Sequence, residues 1–323
     1  MNDSELLIFV IRALNEVYAH AVLGSHRHVV RYFSAWAEDN HMIIQNEFCG
    51  GGSLAEKLTK LQAQGADPPG LPESELRQVL LHVARGLHFI HQAGLVHLDI
   101  KPGNIFLSHE PHVVPIKLLD NSRCDASLEE LELEEEAQEA ACSSGDLKHQ
   151  HRDDVVYKIG DLGHVTCLDA PKVEEGDCRY LPSEILREDF SHLTKADIFS
   201  LGLTIYEAAG AGPLPKNGEL WHAYRDGELP DLSYLSPGFN QVLKSMVHPN
   251  PTERPSALQL TNHPCVLPAV TRLTAREAEL QAEVNKQRLH SEILQRQLQD
   301  ANRLLMSNAI VQQAAKSNKR LYS

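Results

Sequence analysis

One short segment of the chain combines the side chains that a phosphoryl transfer needs. It reads His-Leu-Asp-Ile-Lys-Pro-Gly-Asn and spans residues 97–104. Transfer to a hydroxyl requires an acceptor for the departing proton, positive charge near the phosphoryl group and a held metal ion. Asp99 suits the first role, Lys101 can reach the phosphoryl group, and Asn104 can ligate Mg²⁺. Taken alone, the pattern also fits an ordinary loop.

A second motif, Tyr-Lys-Ile-Gly-Asp-Leu-Gly at residues 157–163, strengthens this interpretation. It is a variant of the Asp-Phe-Gly motif of protein kinases, with Leu162 in place of phenylalanine. Asp161 would chelate the metal that bridges the nucleotide phosphates. A plain β-turn also uses Asp and Gly, but the order of the two motifs favours a kinase.

Three further motifs follow in kinase order. Leu-Pro-Ser-Glu at 181–184 stands where kinases have Ala-Pro-Glu. Asp197 matches the aspartate that anchors the catalytic loop from helix F, and Arg254 matches the arginine that pairs with the Ala-Pro-Glu glutamate. Five ordered motifs predict a protein kinase fold. They also predict a buried ion pair between Glu184 and Arg254.

Residues upstream of these motifs are candidates for a nucleotide site. Glu16 fits the helix C glutamate that pairs with a lysine of the third strand, and an exposed helical glutamate is the alternative. Asn46 is interpreted as the gatekeeper, and the next three residues as a hinge whose main-chain groups meet the adenine edge. The predicted cofactor-binding residues are Glu16, Asn46, Glu47, Phe48 and Cys49. The glycines at 50–52 lack a Gly-x-Gly-x-x-Gly period, so we predict a loop that opens a helix.

The elements that must position these groups can be predicted from residue patterns. Apolar periodicity and turn signals predict a helix over 1–24, strands over 29–36 and 41–48, and a helix over 73–92. From residue 194 onward the pattern is mostly helical. We therefore predict an α+β fold with the two lobes of a protein kinase and a mainly helical C-lobe.

Composition and charge argue against several classes of protein. The net charge of −14 argues against nucleic acid as the main partner, because phosphate binding needs basic patches. The apolar run at 6–11 is too short to span a bilayer, so we expect a soluble protein of the nucleus or cytoplasm without a membrane partner. The six scattered cysteines are interpreted as reduced thiols, and the 18 dispersed histidines as ordinary residues.

Two segments differ from the rest of the chain. Residues 108–154 contain 13 acidic and 4 basic residues, a net charge of −9, which predicts a solvated acidic insert. Residues 271–322 contain no Gly or Pro and have an interrupted heptad pattern, which predicts a long helix with weak coiled-coil potential. The predicted domains are a kinase domain over 1–265 and a helical tail over 266–323.

Beyond these general motifs, the sequence over 15–265 resembles the Wee kinases, which inhibit cyclin-dependent kinases by phosphorylating a tyrosine beside their ATP site. The resemblance is carried by Glu-Val-Tyr-Ala-His-Ala-Val-Leu-Gly at 16–24, His-Val-Val-Arg-Tyr-Phe-Ser-Ala-Trp-Ala-Glu at 28–38, Gln-Asn-Glu at 45–47, Lys-Ile-Gly-Asp-Leu-Gly-His-Val at 158–165 and Val-Glu-Glu-Gly-Asp at 173–177. It implies ATP and Mg²⁺ as cofactors, a cyclin-dependent kinase as substrate, and a role in restraining mitotic or meiotic entry.

The resemblance also changes the expected acceptor. Lys101 after the catalytic aspartate is typical of serine/threonine kinases, so the motif alone predicts a serine or threonine acceptor. The Wee family has this plan but phosphorylates tyrosine, so the resemblance implies tyrosine. It further implies that Glu-Gly-Asp at 175–177 helps to fix the activation segment and the acceptor specificity.

Two departures from the kinase pattern lead to further expectations. Leu98 replaces the arginine that in many kinases receives an activation-loop phosphate, so we expect an activation segment ordered by its own contacts. The fifteen residues before Glu16 contain neither Gly nor Lys. We therefore expect an incomplete N-lobe with helix C and later strands only. The chain is then either an N-terminally truncated kinase or a catalytically impaired module that binds and regulates.

Overall fold

The computed structural model describes residues 3–38, 41–65, 69–110, 154–173, 176–268 and 286, and does not describe the side chains of 3–12, 110 and 154. The chain divides into two units, Met1–Pro268 and Ala269–Ser323. Nearly all of the predicted helical tail and of the predicted acidic insert lies outside the described residues. Those predictions and the domain boundaries therefore stay predictions. In the described part of the chain, no helix is long and apolar enough to cross a membrane.

The first helix agrees with its prediction. Helix α1 spans Asp3–Leu23 and ends where Gly24 adopts a φ of +70°. The amide of Gly24 donates to the carbonyl of His20 at 3.2 Å. A glycine takes this left-handed conformation at little cost, which makes it a common helix terminator.

Two antiparallel strands follow, and the start predicted for the first was wrong. Strand β1 spans Tyr32–Glu38 and pairs with β2, His41–Asn46. The prediction began at residue 29, but Val30 donates to the carbonyl of Ile159 at 2.8 Å. This stretch therefore pairs with a distant segment, and β1 begins only after it.

Helices α2, Leu54–Ala63, and α3, Glu73–Gln92, come next, and α3 has the predicted bounds. Two antiparallel pairs of strands then hold the motif loops. Strand β3, Leu95–Val96, pairs with β6, Thr166–Cys167, and β4, Ile105–Glu110, pairs with β5, Asp154–Ile159. A 3₁₀ turn at Pro102–Asn104 lies between β3 and β4, and another at Leu162–His164 lies between β5 and β6. Both motifs are therefore presented at the same end of the strand pairs.

The remaining described residues are mainly helical. The helices are α4, Ser183–Leu186; α5, Leu193–Tyr206; α6, Glu219–Arg225; α7, Pro237–Met246; and α8, Ala257–Thr261. A π-turn at Glu207–Ala211 continues α5. Most residues of α5 are buried, so this helix forms the centre of the second half. The arrangement confirms the predicted α+β, kinase-like fold.

The predicted ion pair between Glu184 and Arg254 is confirmed. The guanidinium Nη1 lies 2.5 Å from Oε1 of the carboxylate, and Nη2 lies 3.1 Å from Oε2. The side chain of Arg254 is 1% exposed and that of Glu184 is 9% exposed. The pair joins the beginning of α4 to the segment between α7 and α8, and its two parallel bonds fix its geometry.

Replacing Arg254 by leucine is therefore expected to destabilise the protein strongly. It leaves the buried carboxylate of Glu184 without a partner, which costs about 3–5 kcal/mol. Urea unfolding of the variant measures the loss. Lys244→Met is the control, because Lys244 pairs with Asp231 at 2.9 Å where the side chains are 36% and 63% exposed, and such pairs contribute about 0–1 kcal/mol. An unchanged urea midpoint for Arg254→Leu contradicts the prediction.

A cluster of histidines connects α3 to the strands. The rings of His28 and His82 stack with their centroids 4.4 Å apart. The amide of Tyr157 donates to Nδ1 of His82 at 3.2 Å, which requires that nitrogen to be unprotonated. Burial, helped by the charges of Arg85 and Arg27, lowers the pKa of His82 to about 3. Burial also lowers the pKa of His28 well below its usual value.

Stability is therefore expected to fall below about pH 6.5, where histidine titrates in an unfolded chain. The unfolded state then binds protons that the folded state excludes, which favours unfolding. Each of His28 and His82 should contribute about 1.4 kcal/mol of loss between pH 7.5 and 5.5. Urea unfolding at both pH values measures it. His82→Gln should reduce the loss of stability by the contribution of that one histidine, whereas substitution of the exposed His222 should leave the loss unchanged. An identical pH dependence in His82→Gln contradicts this account.

Candidate active site

A buried aspartate of α5 holds the loop that carries the predicted catalytic residues. Asp197 is 0% exposed. Its Oδ1 accepts from the amide of Leu98 at 2.8 Å, and its Oδ2 accepts from the amide of His97 at 3.0 Å. The Nε2 atom of His91 lies 2.8 Å from the same Oδ2. Leu98 has a φ of +62°, which is unfavourable for a residue with a Cβ, and the two bonds to Asp197 hold it there.

The imidazole of His97 joins the catalytic loop to the Asp-Leu-Gly motif. The amide of Asp99 donates to its Nδ1 at 3.2 Å, so the ring proton is on Nε2. Nε2 in turn donates to the carbonyl of Gly160 at 3.2 Å. The amide of Gly160 donates to the carbonyl of Asn104 at 2.9 Å. These bonds fix the two predicted metal-binding segments relative to each other.

The structure brings Asp99, Lys101 and Asn104 together. The carboxylate of Asp99 is buried. Its Oδ2 accepts from Nζ of Lys101 at 2.6 Å and from Nδ2 of Asn104 at 2.8 Å. Its Oδ1 accepts from the amide of Asp177 at 3.2 Å. The donors on both oxygens orient the carboxylate.

Asp161 follows Gly160, whose amide is bonded to the carbonyl of Asn104, and it offers a carboxylate as a metal ligand. Its main chain has a φ of +59°, and its side chain is exposed. Because Nδ2 of Asn104 is directed at Asp99, the amide oxygen of Asn104 remains for a cation. In the described part of the chain no group of three or more His, Cys, Asp or Glu side chains is placed to hold a metal. A Mg²⁺ ion carried by phosphates needs only one or two protein ligands, so Asn104 and Asp161 fit it.

Glu16 of α1 contacts the predicted gatekeeper. The Nδ2 atom of Asn46 donates to Oε1 of Glu16 at 3.1 Å, and Nε2 of His20 lies 4.0 Å from the same oxygen. Burial raises the pKa of Glu16, and the nearby charge of Asp161 adds to this while the bond from Asn46 opposes it. The Oδ1 atom of Asn46 is buried without a partner among the described residues. The end of β2 is thus tied to α1.

The predicted hinge residues differ in their surroundings. The carboxylate of Glu47 pairs with Nζ of Lys158 at 2.8 Å, and its amide donates to the carbonyl of Arg31 at 2.7 Å. Phe48 is 90% exposed, whereas Cys49 is buried and burial raises the pKa of its thiol. Among the described residues, the Glu47 carbonyl and the Cys49 amide have no main-chain partner. An acceptor and a donor are thus available two residues apart.

The glycines that follow the hinge form a loop that leads into α2, as predicted. The amide of Gly51 donates to the carbonyl of Leu107 at 2.9 Å, and the amide of Leu107 donates to the carbonyl of Gly52 at 2.9 Å. A Cβ on Gly51 would lie 2.6 Å from that of Leu107. This loop therefore lies directly against β4, where a side chain cannot fit.

The activation segment, which runs from the Asp-Leu-Gly motif to the Leu-Pro-Ser-Glu motif, approaches the carboxylate of Asp99 very closely at Gly176. A Cβ there would lie 2.7 Å from the carbonyl oxygen of Leu98 and 3.0 Å from Oδ1 of Asp99. The next residue, Asp177, forms an ion pair with Arg179 at 2.5 Å. Burial alone would raise the pKa of Asp177, but the hydrogen bonds and charge of Arg179 hold it below its usual value.

The side chain of Leu98 lies in an apolar cluster. The residue is 1% exposed. The other buried members of the cluster are Val96, Leu181, Ile185, Leu193 and Ala196. Leu181 belongs to the activation segment, and Ile185 belongs to α4. Among the described residues, this apolar cluster packs the segment on Leu98, where many kinases have an arginine. That the segment is ordered by its own contacts stays a prediction.

The sequence analysis missed several residues of this region. His91 and Lys158 were not identified, although each contacts a predicted site residue. Their partners lie 106 and 111 positions away along the chain, so no local pattern indicates them. Trp221 and Arg225 were also missed, although an aromatic residue four positions before an arginine on a helix is a recognisable signal.

Comparison with known proteins supplies a family. A family model described as "Protein kinase domain" matches residues 3–132 and 146–266. The chain is 48% identical over 302 residues to a Wee1-like protein kinase of Drosophila melanogaster, covering 91% of this chain and 45% of that protein. It is 50% identical over 290 residues to Wee1-like protein kinase 2 of Gallus gallus, covering 90% and 46%. For the protein of the same name from Danio rerio the values are 48% over 293 residues, 90% and 49%. The chain thus spans about half the length of these relatives.

Proposed function

Since this chain belongs to the Wee family of protein kinases, we propose that it transfers the γ-phosphoryl group of ATP to a tyrosine of a cyclin-dependent kinase. The transfer restrains entry into mitosis or meiosis. The protein acts as a tyrosine kinase of the nucleus or cytoplasm. The proposal goes beyond the family in naming the acceptor, the substrate and the cellular role, which the resemblance to Wee kinases implies.

The arrangement around Asp99 carries the proposal. Its buried carboxylate has Lys101 and Asn104 on one oxygen and the activation segment on the other. In the reaction Asp99 accepts the proton of the acceptor hydroxyl. Lys101 lies beside the proton acceptor Asp99. Its positive charge is therefore close to the phosphoryl group, on which negative charge develops during the transfer.

The cofactors of the proposal are ATP and Mg²⁺. When bound, they supply the phosphoryl group and neutralise the charge of the phosphates. Asn104 and Asp161 hold the metal through oxygen atoms. At the hinge, the carbonyl of Glu47 and the amide of Cys49 meet the adenine edge. Glu16 is tied in place by Asn46 and faces the nucleotide site from α1.

The close approach of the activation segment supports tyrosine as the acceptor. Gly176 and Asp177 lie against the carboxylate of Asp99. Because the side chain of serine is short, its hydroxyl could reach Asp99 only if the main chain of the substrate came as near to Asp99 as Gly176 and Asp177 do. A phenol reaches the same carboxylate while the substrate main chain stays farther away.

The acceptor is tested with the full-length protein, labelled ATP and Mg²⁺, and an inactive cyclin-dependent kinase in complex with its cyclin. We expect label on tyrosine by phosphoamino-acid analysis. A substrate variant with phenylalanine at the tyrosine beside its ATP site should take up no label. Label on serine or threonine contradicts the proposed acceptor. Stable binding of the substrate without any transfer indicates a regulatory binding module instead.

Asp99→Asn should lower kcat by about 10²- to 10⁴-fold, because an amide cannot accept the proton. Asparagine has nearly the same size as aspartate, so we expect the fold to be retained. An unchanged melting temperature checks this. Asp169→Asn is the matched control, because Asp169 is exposed and the change of charge is identical. Turnover of Asp99→Asn at the rate of this control rules out the proposed role of Asp99.

A further inference from the structure

Arg225, the last residue of α6, is a buried cation that binds the activation segment. It is 3% exposed. Its Nη2 atom donates to the carbonyls of Cys178 and Arg179 at 2.7 and 3.2 Å. Its Nη1 atom donates to the carbonyl of Trp221 at 2.9 Å. Among the described residues these bonds all go to main-chain carbonyls, and its Nε is buried without a partner.

A charge buried in this way is stable only while its bonds are intact. Burial lowers the pKa of Arg225 to about 10, so the side chain stays charged at neutral pH. Its Cζ atom lies 3.7 Å from the ring centroid of Trp221 and 5.9 Å from that of Phe199. Such cation–π contacts add stabilisation when they are shielded from water. The two carbonyls of the segment complete this set, so moving the segment would leave the guanidinium poorly satisfied.

Trp221 contacts the same point of the segment. Its Nε1 atom donates to the carbonyl of Cys178 at 3.0 Å. Trp221 and Arg225 are four residues apart, and side chains at this spacing lie on the same face of a helix. A single carbonyl therefore receives one donor from each residue, and both donors are preset by α6.

The other end of this stretch lies on the catalytic carboxylate. The amide of Asp177 donates to Oδ1 of Asp99 at 3.2 Å, and Cys178 is the next residue. Consecutive residues of the segment are thus fixed to Asp99 on one side and to α6 on the other. Since a trans peptide unit spans only about 3.8 Å between Cα atoms, a shift at α6 must be felt at Asp99.

We propose that Arg225, together with Trp221, is a positioning residue that holds the activation segment in its acceptor-binding conformation without a phosphate on the segment. The proposal rests on the kinase activity proposed above. It explains how the segment is fixed where Leu98 replaces a phosphate-binding arginine. Neutral main-chain carbonyls take the place of the phosphate as hydrogen-bond acceptors for a cation, and they are always present.

The experiment uses the full-length protein and four variants. Arg225→Met removes the charge, and Arg225→Lys keeps the charge but not the planar fork. Trp221→Phe keeps an aromatic ring but removes the indole N–H together with the five-membered ring. Asp226→Asn, at an exposed neighbouring position, is the control. Two properties are measured for each: steady-state kinetics with the protein substrate, and hydrogen exchange of the amides at 177–180 without nucleotide or substrate.

We expect kcat/KM for the protein substrate to fall by on the order of 10²-fold in Arg225→Met, the effect of displacing a catalytic group by about 1 Å. Arg225→Lys and Trp221→Phe should show smaller losses. The KM for ATP should stay within about twofold, because the nucleotide site is not touched. Amide exchange at 177–180 should accelerate in the same order as the kinetic loss. Phosphatase treatment of the parent protein should leave its activity unchanged.

Normal kinetics and normal exchange in Arg225→Lys and Trp221→Phe overturn the proposal, and so does loss of activity after phosphatase treatment. If Arg225→Met does not fold, the other two variants decide. A rise in the KM for ATP together with a fall in kcat indicates general damage to the site, and it overturns the positioning role. If the parent protein transfers no phosphate, the proposed function fails, and the exchange measurement still tests the role of Arg225 separately.

Discussion

The site depends on one buried carboxylate. Asp197 receives two main-chain amides from a loop whose backbone is held at a positive φ. A carboxylate without its donors would be expensive to bury, and a strained loop without its acceptor would relax. Each therefore stabilises the other. Because α5 is buried along most of its length, it cannot shift easily, and the catalytic loop inherits that rigidity.

How much could be predicted from the sequence differs between local and distant interactions. Asp99, Lys101 and Asn104 come from a single loop, so their spacing was sufficient to predict that they meet. The bounds of α3 followed from apolar periodicity in the same way. The start of β1 could not be predicted, because it depends on pairing between Val30 and Ile159. The side chain of Glu47 was expected at a hinge, but its ion pair depends on Lys158, which belongs to another strand.

The buried charges are stabilised in three different ways. Glu184 and Arg254 neutralise each other through two parallel hydrogen bonds. Asp197 is satisfied by amide dipoles, and Arg225 by carbonyl dipoles and an aromatic ring. Phe199 of α5 lies under both arginines, with its centroid 4.8 Å from Cζ of Arg254 and 5.9 Å from Cζ of Arg225. One aromatic ring thus supports the two cations that bind the last part of the activation segment, one at Cys178 and Arg179 and the other at Glu184.

The apolar contact of Leu98 differs from a charged contact in what can change it. An apolar contact with Leu181 and Ile185 has no charge that another enzyme could add or remove. It is also insensitive to ionic strength, since salt screens charges and not dispersion contacts. At this position the segment is set once, when the chain folds. Because leucine and isoleucine side chains carry no hydroxyl group, phosphorylation cannot act on this contact at the residues that form it.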